Sequence, residues 1–354
     1  MRQTVHLNLQ QNSYDIVIEK GLFHHIAEEI GKQFSGKKVF VLTDTNVGPL
    51  YLAPLLEQLK GAGYETGSLI LPAGEATKNI RSLPEVYAAM LDAGLTRKDL
   101  AVTLGGGVVG DLGGFAASTY LRGIPFVQIP TSLLAQVDSS VGGKVAVDLE
   151  QGKNLVGSFY QPRGVLIDPL VLNSLPDHFY RDGMAEVIKY GCIFDRAFFE
   201  LLNGLTNREQ VMERMEEIVA RCCDLKRQVV ERDERDQGER MLLNFGHTLG
   251  HAVEKYQNFA GNSHGEAVAM GMYAITQKSE RLGLTDPGAA QAIREILERY
   301  GLPLSAGLPA AQAMDAIRRD KKNLGGRMQA VLLRRIGEGY LYETAPSFFE
   351  DVVI

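Results

Sequence analysis

The chain has 354 residues, 45% hydrophobic and 23% charged, with a formal net charge of −6. That length allows two domains with substantial cores, and the composition is that of an ordinary globular protein. The acidic balance argues against nucleic acid as the main partner, so an anionic substrate would need a local cationic pocket. No apolar run reaches the roughly 20 residues that span a bilayer, and the N-terminal MRQTVHLNLQ lacks the apolar core of a signal peptide. Cys192, Cys222 and Cys223 are too few and too badly spaced for a zinc finger or a disulfide framework. The expectation is a cytoplasmic protein with reduced thiols, no membrane contact and no nucleic acid.

In chain order, MRQTVHLNLQ alternates polar and apolar residues like a strand. KVFVLT (38–43) and LAVTL (100–104) are short apolar runs ended by turn residues, the pattern of buried parallel strands. Between them YLAPLLEQLKGAG and LPEVYAAMLDAG carry helical spacing closed by glycine. FVQIPTSLL and GVLIDP supply further strands. The alternation predicts a doubly wound, parallel-sheet α/β domain over 1–178. From 179 to 354 the texture is helical, in RDGMAEVIKYGCIF, EQVMERMEEIVARCCDLKRQVVERDERD, AVAMGMYAITQKSERLG, AAQAIREILERYG and AAQAMDAIRRDKK. An all-α second domain is expected there. VLLRRIGEGYLYE is the exception, a hairpin turning at Gly337–Gly339.

LAVTLGGGVVGDLGGFAAS reads as a strand, three glycines and then a helix with small residues on its face. Glycine allows close backbone approach, and a helix N-terminus offers free N–H groups and partial positive charge to a pyrophosphate. The spacing of Gly105, Gly106, Gly107 and Gly110 departs from G-x-G-x-x-G, yet the strand-to-helix setting favours a phosphate or dinucleotide site. Asp44, after an earlier strand, could take ribose hydroxyls, although taken alone it reads better as a helix cap.

NFGHTLGHAVEKYQNFAGNSHGE (244–266) holds three of the seven histidines. His247 and His251 are four apart and share one helical face. That suits two ligands of one metal, or a ligand beside a base. His264 follows a glycine-bearing loop able to return to the same point. Glu186, in the mostly apolar helix GMAEVIKYG, is the best oxygen ligand, with Lys189 three residues on. Satisfied core or surface histidines are the alternative, and the clustering favours a metal-plus-base site. Two nitrogens and one oxygen suit a catalytic Zn²⁺, which composition does not distinguish from Co²⁺.

DSSVGGKVAVDLEQGKNLVGSFYQP sets Asp138, Lys144, Lys153 and Asn154 among glycines. Lysines in glycine-rich loops bind phosphate well, although ordinary solvated lysines are as common. Arg240 and Asn244, four apart just before His247, are expected to follow one helical face toward the metal. Lys226 falls on the preceding helix, and Arg122 in a turn-like LRGIP.

PAGEATK, DSSVGGK, GKNLVGSFYQP, AEVIKYG, LLNFGHTLGHA and HGEAV occur in that order with natural spacing, within a match running from about residue 40 to 335. Together they resemble the 3-dehydroquinate synthase family of sugar phosphate cyclases, enzymes of the shikimate pathway. The resemblance implies a Rossmann-like NAD-binding α/β domain, an all-α C-terminal domain and an active site between them. It also implies a homodimer, a sugar phosphate substrate, NAD and a divalent metal (Zn²⁺ or Co²⁺). Glu186, His247 and His264 fall on the family's metal ligands, which leaves His251 as a catalytic or substrate-contacting neighbour. Asp138, Lys144, Asn154, Lys189, Lys226, Arg240 and Asn244 fall on substrate-contacting positions. Arg122 matches an arginine that reaches the phosphate from the partner subunit. Lys322, in preference to Lys321, matches a last phosphate contact. NAD contacts are implied at Asp44 and Asn46, at Gly74, Glu75 and Lys78, and along the glycine loop at Gly106, Gly107, Val108, Gly110 and Asp111. Further cofactor positions are Thr131, Ser132, Lys144, Lys153, Asn173 and Ser174. Asp236 stands where a glutamate base is common, and Ser132 where a second threonine is common. Both keep the functional group. The rival readings are a metal-dependent polyol dehydrogenase of the glycerol dehydrogenase type, another sugar phosphate cyclase and a non-enzymatic NAD-binding module.

Overall fold

The structure is a computed structural model that describes residues 2–257, 261–308, 312 and 327–354. The chain divides into two compact units, Met1–Pro176 with Met215–Arg235, and Asp177–Arg214 with Asp236–Ile354.

The first unit is built on a seven-stranded sheet. Its strands are β1 (Gln3–Leu7), β2 (Tyr14–Ile18), β3 (Lys38–Asp44), β4 (Glu65–Leu71), β5 (Leu100–Gly105), β6 (Phe126–Pro130) and β9 (Gly164–Ile167), in the order β1-β2-β9-β6-β5-β3-β4. Only β1 is antiparallel to its neighbour; the other pairings are parallel. The predicted strand runs lie at its centre, and β5 is buried at all six positions, as a strand covered on both faces must be. Helices α1 (Ile26–Gln33) and α2 (Gly48–Gly61) share one apolar core with the sheet. Helices α3 (Leu83–Asp92) and α4 (Gly107–Thr119) share a second core with it. The chain runs outward from β3 to β4 and then returns to the other side of β3 to make β5. The order therefore reverses between β3 and β5, and the crevice beyond their C-terminal ends is where doubly wound sheets bind ligands.

Two features depart from the sequence reading. The glycine-rich stretch with Lys144 and Lys153 is an antiparallel hairpin, β7 (Lys144–Leu149) with β8 (Gly152–Phe159), and not a set of loops. Helix α8 (Met215–Arg232), expected in the helical domain, packs on β1, β2 and the segment Ala135–Ser139 of the first unit.

The second unit is mainly helical: α5 (Asp177–Phe194), α6 (Arg196–Gly204), α7 (Arg208–Glu213), α9 (His247–Tyr256), α10 (His264–Arg281) and α11 (Ala289–Arg299). The predicted hairpin is present as β10 (Met328–Arg335) and β11 (Glu338–Thr344), turning at Gly337 with φ 88°. All three cysteines are buried, and burial alone pushes the Cys192 thiol up. No helix among the described residues is long and apolar enough to cross a membrane.

Candidate functional site

The metal-ligand candidates lie in the second unit on three helices. Helix α5 is buried along most of its length, and Glu186 and Lys189 on it are 0% and 1% exposed. Burying either charge alone is costly, and Lys189 Nζ lies against Glu186 Oε2 as its ion-pair partner. Among the described residues neither oxygen of Glu186 nevertheless accepts a hydrogen bond. Its acceptor capacity is turned toward two imidazoles, with His247 Nε2 3.6 Å and His264 Nε2 3.7 Å from Oε1.

Local structure explains the convergence. His247 opens α9 and His264 opens α10. The two helices approach at glycine: a Cβ on Gly271 would lie 2.0 Å from the Gly246 carbonyl oxygen. Gly246 itself takes φ 79°, which starts α9 afresh. The first turn of α10 is held by a capping box between Ser263 and Glu266, and by Asp182 of α5, which accepts from the Gly265 N–H. The ring nitrogens are sorted as well. His247 Nδ1 is 3.1 Å from the Phe245 carbonyl, which can only accept, so Nδ1 carries the hydrogen and Nε2 keeps its lone pair. Burial, then Lys189, His264 and His251, drive the His247 pKa well below its usual value, so the ring is neutral and fit to ligate. Burial pulls His264 down too, but Glu254 and Glu186 more than reverse it. That net rise marks a place where negative charge favours a cation.

Each of Glu186, His247 and His264 offers a ligand atom within 4.8 Å of the others. One carboxylate oxygen and two imidazole nitrogens fit a borderline divalent ion with positions open for substrate. His251, one turn along α9 and exposed, has its ring 5.6 Å from that of His247 and 6.3 Å from that of His264. His251, Glu254 and His264 meet the same spacing criterion as a second group.

Arg240 and Asn244 do not follow the α9 face as expected. They sit in the 3₁₀ segment Glu239–Asn244, which contacts α5 and β11, and the left-handed Gly246 breaks any continuous helix toward His247. At three residues per turn, positions four apart lie on different faces. Arg240 is buried and Asn244 exposed. Asp236, at φ 57°, precedes this segment, and Lys322 lies outside the described residues.

The remaining predicted residues lie in the first unit. The glycine loop closes β5 and opens α4 as read. Gly106 is the extended N-cap, and Cβ atoms on Gly106 and Gly107 would meet the hydroxyls of Ser132 and Ser139 at 3.3 and 3.2 Å. Val108 and Gly110 fall in the first turn, and a Cβ on Gly110 would strike Gln128 at 2.8 Å. The Thr131 N–H donates to the Gly105 carbonyl at 2.9 Å. Beside this turn Lys78, 5% exposed, sits 2.9 Å from Glu75, 3.4 Å from Asp111 and 4.0 Å from Asp148. Burial pushes Asp111 up to about 6 against the pull of Lys78, whereas at Glu75 burial is outweighed by Lys78, with Lys153 behind it, and the carboxyl is held down. Three carboxylates around one ammonium suit hydroxyl groups better than phosphate, whereas the α4 N-terminus suits phosphate. The two together fit a dinucleotide.

Asp148 was not singled out from sequence, where VAVDLE reads as plain strand. It also accepts from the Asn154 N–H at 2.7 Å, holding that residue at φ 56°. Asp44 Oδ1 accepts from the N–H groups of Asn46 and Val47, the cap alternative. Gly74, at φ 110°, leads into the Glu75–Thr77 turn. Ser174, 2.7 Å from the Tyr51 hydroxyl, and exposed Asn173 end a 3₁₀ segment. Lys226 donates to the Asp138 carboxylate at 2.8 Å and to its carbonyl at 2.6 Å, which unites two predicted substrate contacts. Lys144 is exposed at the start of β7. Arg122 is exposed in the left-handed run Leu121–Arg122–Gly123.

A doubly wound domain with a glycine-loop helix, and a helical unit with a carboxylate–bis-imidazole centre, together define a dinucleotide- and divalent-metal-dependent enzyme. Residues 68–182 match the family model described as 3-dehydroquinate synthase N-terminal, and residues 183–323 match 3-dehydroquinate synthase C-terminal. The chain belongs to the 3-dehydroquinate synthase family. It is 57% identical over 344 residues to the 3-dehydroquinate synthase of Clostridium beijerinckii, covering 97% of this chain and 98% of that one. It is 43% identical to that of Enterococcus faecalis, covering 96% and 94%. Among solved structures, 2-epi-5-epi-valiolone synthase from Streptomyces hygroscopicus subsp. jinggangensis, with NAD⁺ and Zn²⁺ bound, superposes with TM-score 0.87 at 26% identity, covering 97% and 96%. A glycerol dehydrogenase from Schizosaccharomyces pombe reaches only 0.65 at 15% identity, covering 95% and 86%, which shows a shared fold.

Proposed function

We propose that the chain carries out the reaction of its family, converting 3-deoxy-D-arabino-heptulosonate 7-phosphate to 3-dehydroquinate and phosphate. The steps are transient oxidation by NAD, phosphate elimination, reduction, ring opening and aldol closure. The observation that carries the reading is the convergence of Glu186, His247 and His264 in a chain whose family match spans both units. Those three side chains would hold the divalent metal, which when bound supplies Lewis acidity to a hydroxyl and the ketone made from it. NAD would lie along the α4 N-terminus, its ribose hydroxyls near Glu75, Asp111 and Asp148, and it supplies a hydride acceptor that each turnover restores.

The chain's own residues supply the rest. Lys189 holds the Glu186 carboxylate in place. His251, exposed beside the ligands, moves a proton between the reacting oxygen and solvent. Lys226, steadied by Asp138, and Arg240 bind the substrate carboxylate, the arginine through its planar fork. Lys144 and Asn154 bind the phosphate, and Arg122 of a second copy joins them in a homodimer. Such positioning is worth up to about 7–11 kcal/mol where reacting atoms are near attack geometry. The chain works in the cytoplasm on a small anionic sugar.

The test is phosphate release from the heptulosonate phosphate. It should require NAD, stop with chelator and return with Zn²⁺ or Co²⁺. No release under those conditions, together with net NADH formation from NAD and glycerol, would establish the polyol dehydrogenase reading instead.

A further inference from the structure

We infer that Glu254 is a positioning residue that fixes the ring of His264 so that its Nε2 lone pair meets the metal. The inference rests on the metal reading above. Glu254 lies on α9 seven residues after His247 and three after His251, so it projects from the same face of the helix. It is 4% exposed, and its Oε2 lies 3.6 Å from His264 Nδ1. The opposite nitrogen of that ring, Nε2, is the one that faces Glu186 Oε1 at 3.7 Å. A carboxylate beside Nδ1 draws the ring hydrogen there and leaves the lone pair on Nε2. The contact needs to close by only about half an ångström to be a good hydrogen bond.

His247 is arranged in the same sense by a different acceptor, the Phe245 carbonyl at its Nδ1. Each ligating imidazole thus has an acceptor behind it. The two acceptors differ in kind: the Phe245 carbonyl is neutral and lies in the backbone just before α9, whereas Glu254 is a charged side chain that links α9 to the start of α10. Its loss should therefore loosen His264 on α10 while His247 on α9 keeps the carbonyl behind its own ring. Sequence spacing alone carried a signal, since an acid at i+7 and i+3 from two histidines sits on their face.

The same atoms admit a competing role, with Glu254, His251 and His264 as ligands of a second ion. Co²⁺ titration of the chelator-stripped full chain separates the two. Stoichiometry, Kd by competition and the visible d–d spectrum would be read for wild type, Glu254→Gln, Glu254→Ala and His251→Ala. Positioning predicts one Co²⁺ per chain throughout. Kd should weaken about 10–100-fold in Glu254→Ala with a shifted spectrum. Glu254→Gln, which keeps an acceptor oxygen, should lose less, and His251→Ala should stay near wild type. Near-UV circular dichroism of the metal-free proteins reports folding, and Glu254→Gln carries the test if the alanine variant fails to fold. Wild-type Kd and spectrum in both Glu254 variants overturn the inference while leaving the metal site intact. Two ions in wild type, with one lost in Glu254→Ala and in His251→Ala alike, make Glu254 a ligand. A wild type that binds no Co²⁺ overturns the metal reading along with it.

Discussion

Gly271→Ala is a one-carbon change at a residue that ligates nothing, and it should cost the protein its metal before it costs the fold. The added Cβ would stand 2.0 Å from the Gly246 carbonyl oxygen, against an ordinary contact of 3.4 Å or more, so the two backbones must part by about 1.4 Å. Overpacking of this kind destabilises by about 1–3 kcal/mol, or roughly 2–4 °C in Tm per kcal/mol for a unit the size of the helical one. The displacement falls between α9, which carries His247, and α10, which carries His264. Metal–ligand bonds tolerate only about 0.2 Å. The predicted result is a metal-free Tm lowered by several degrees, with Zn²⁺ affinity down at least about tenfold and phosphate release down in step. Thermal melts in chelator, competition titration and the phosphate assay read the three quantities. A variant with lowered Tm and wild-type Zn²⁺ affinity would refute the claim that this glycine contact sets the ligand geometry.

Asp111→Asn should change the pH dependence of stability in the metal- and NAD-free protein. Burial raises the folded pKa of Asp111 to about 6 from 3.8, so between those values the folded state binds the extra proton and stability falls as pH rises. That contribution is at most about 3 kcal/mol, complete above pH 6. The difference in unfolding free energy between variant and wild type should therefore move in the variant's favour from pH 4 to 6.5 and then level; a flat difference would contradict the buried carboxyl. Lys144→Ala should raise KM for the phosphorylated substrate by tenfold or more and leave a non-phosphorylated analogue nearly unaffected, and an equal loss on both would remove Lys144 from the phosphate site. His264→Ala should lose stoichiometric metal and nearly all turnover while NAD binding, followed by calorimetry, persists; retained zinc would strike His264 from the ligands.

Much of this architecture was legible in local pattern. KVFVLT and LAVTL became β3 and β5 because fully apolar runs of that length are stable only inside a covered sheet. The glycine loop and the Gly337 turn followed from the backbone freedom they need. What failed was set by tertiary partners. The run from Lys144 to Phe159 follows Gly142–Gly143 and carries Gly152 and Gly157, so it resembled loop, yet alternation in KVAVDL was enough for a hairpin once α4 lay against it. The periodicity of α8 showed a helix and not which unit it would cover. Gly246 ended the helical register that seemed to join Arg240 to His247. Asp148 escaped notice because a single acid in an apolar strand takes its meaning from what folds beside it; the spacing of Glu254 from His247 and His251 was legible, but its partner His264 was not.

The most direct test of the account is where a divalent ion sits in crystals grown with Zn²⁺. Anomalous scattering at the zinc edge should give one strong peak within about 2.0–2.2 Å of Glu186, His247 Nε2 and His264 Nε2. A peak held instead by His251, Glu254 and His264, with no ion on the Glu186 carboxylate, would contradict it.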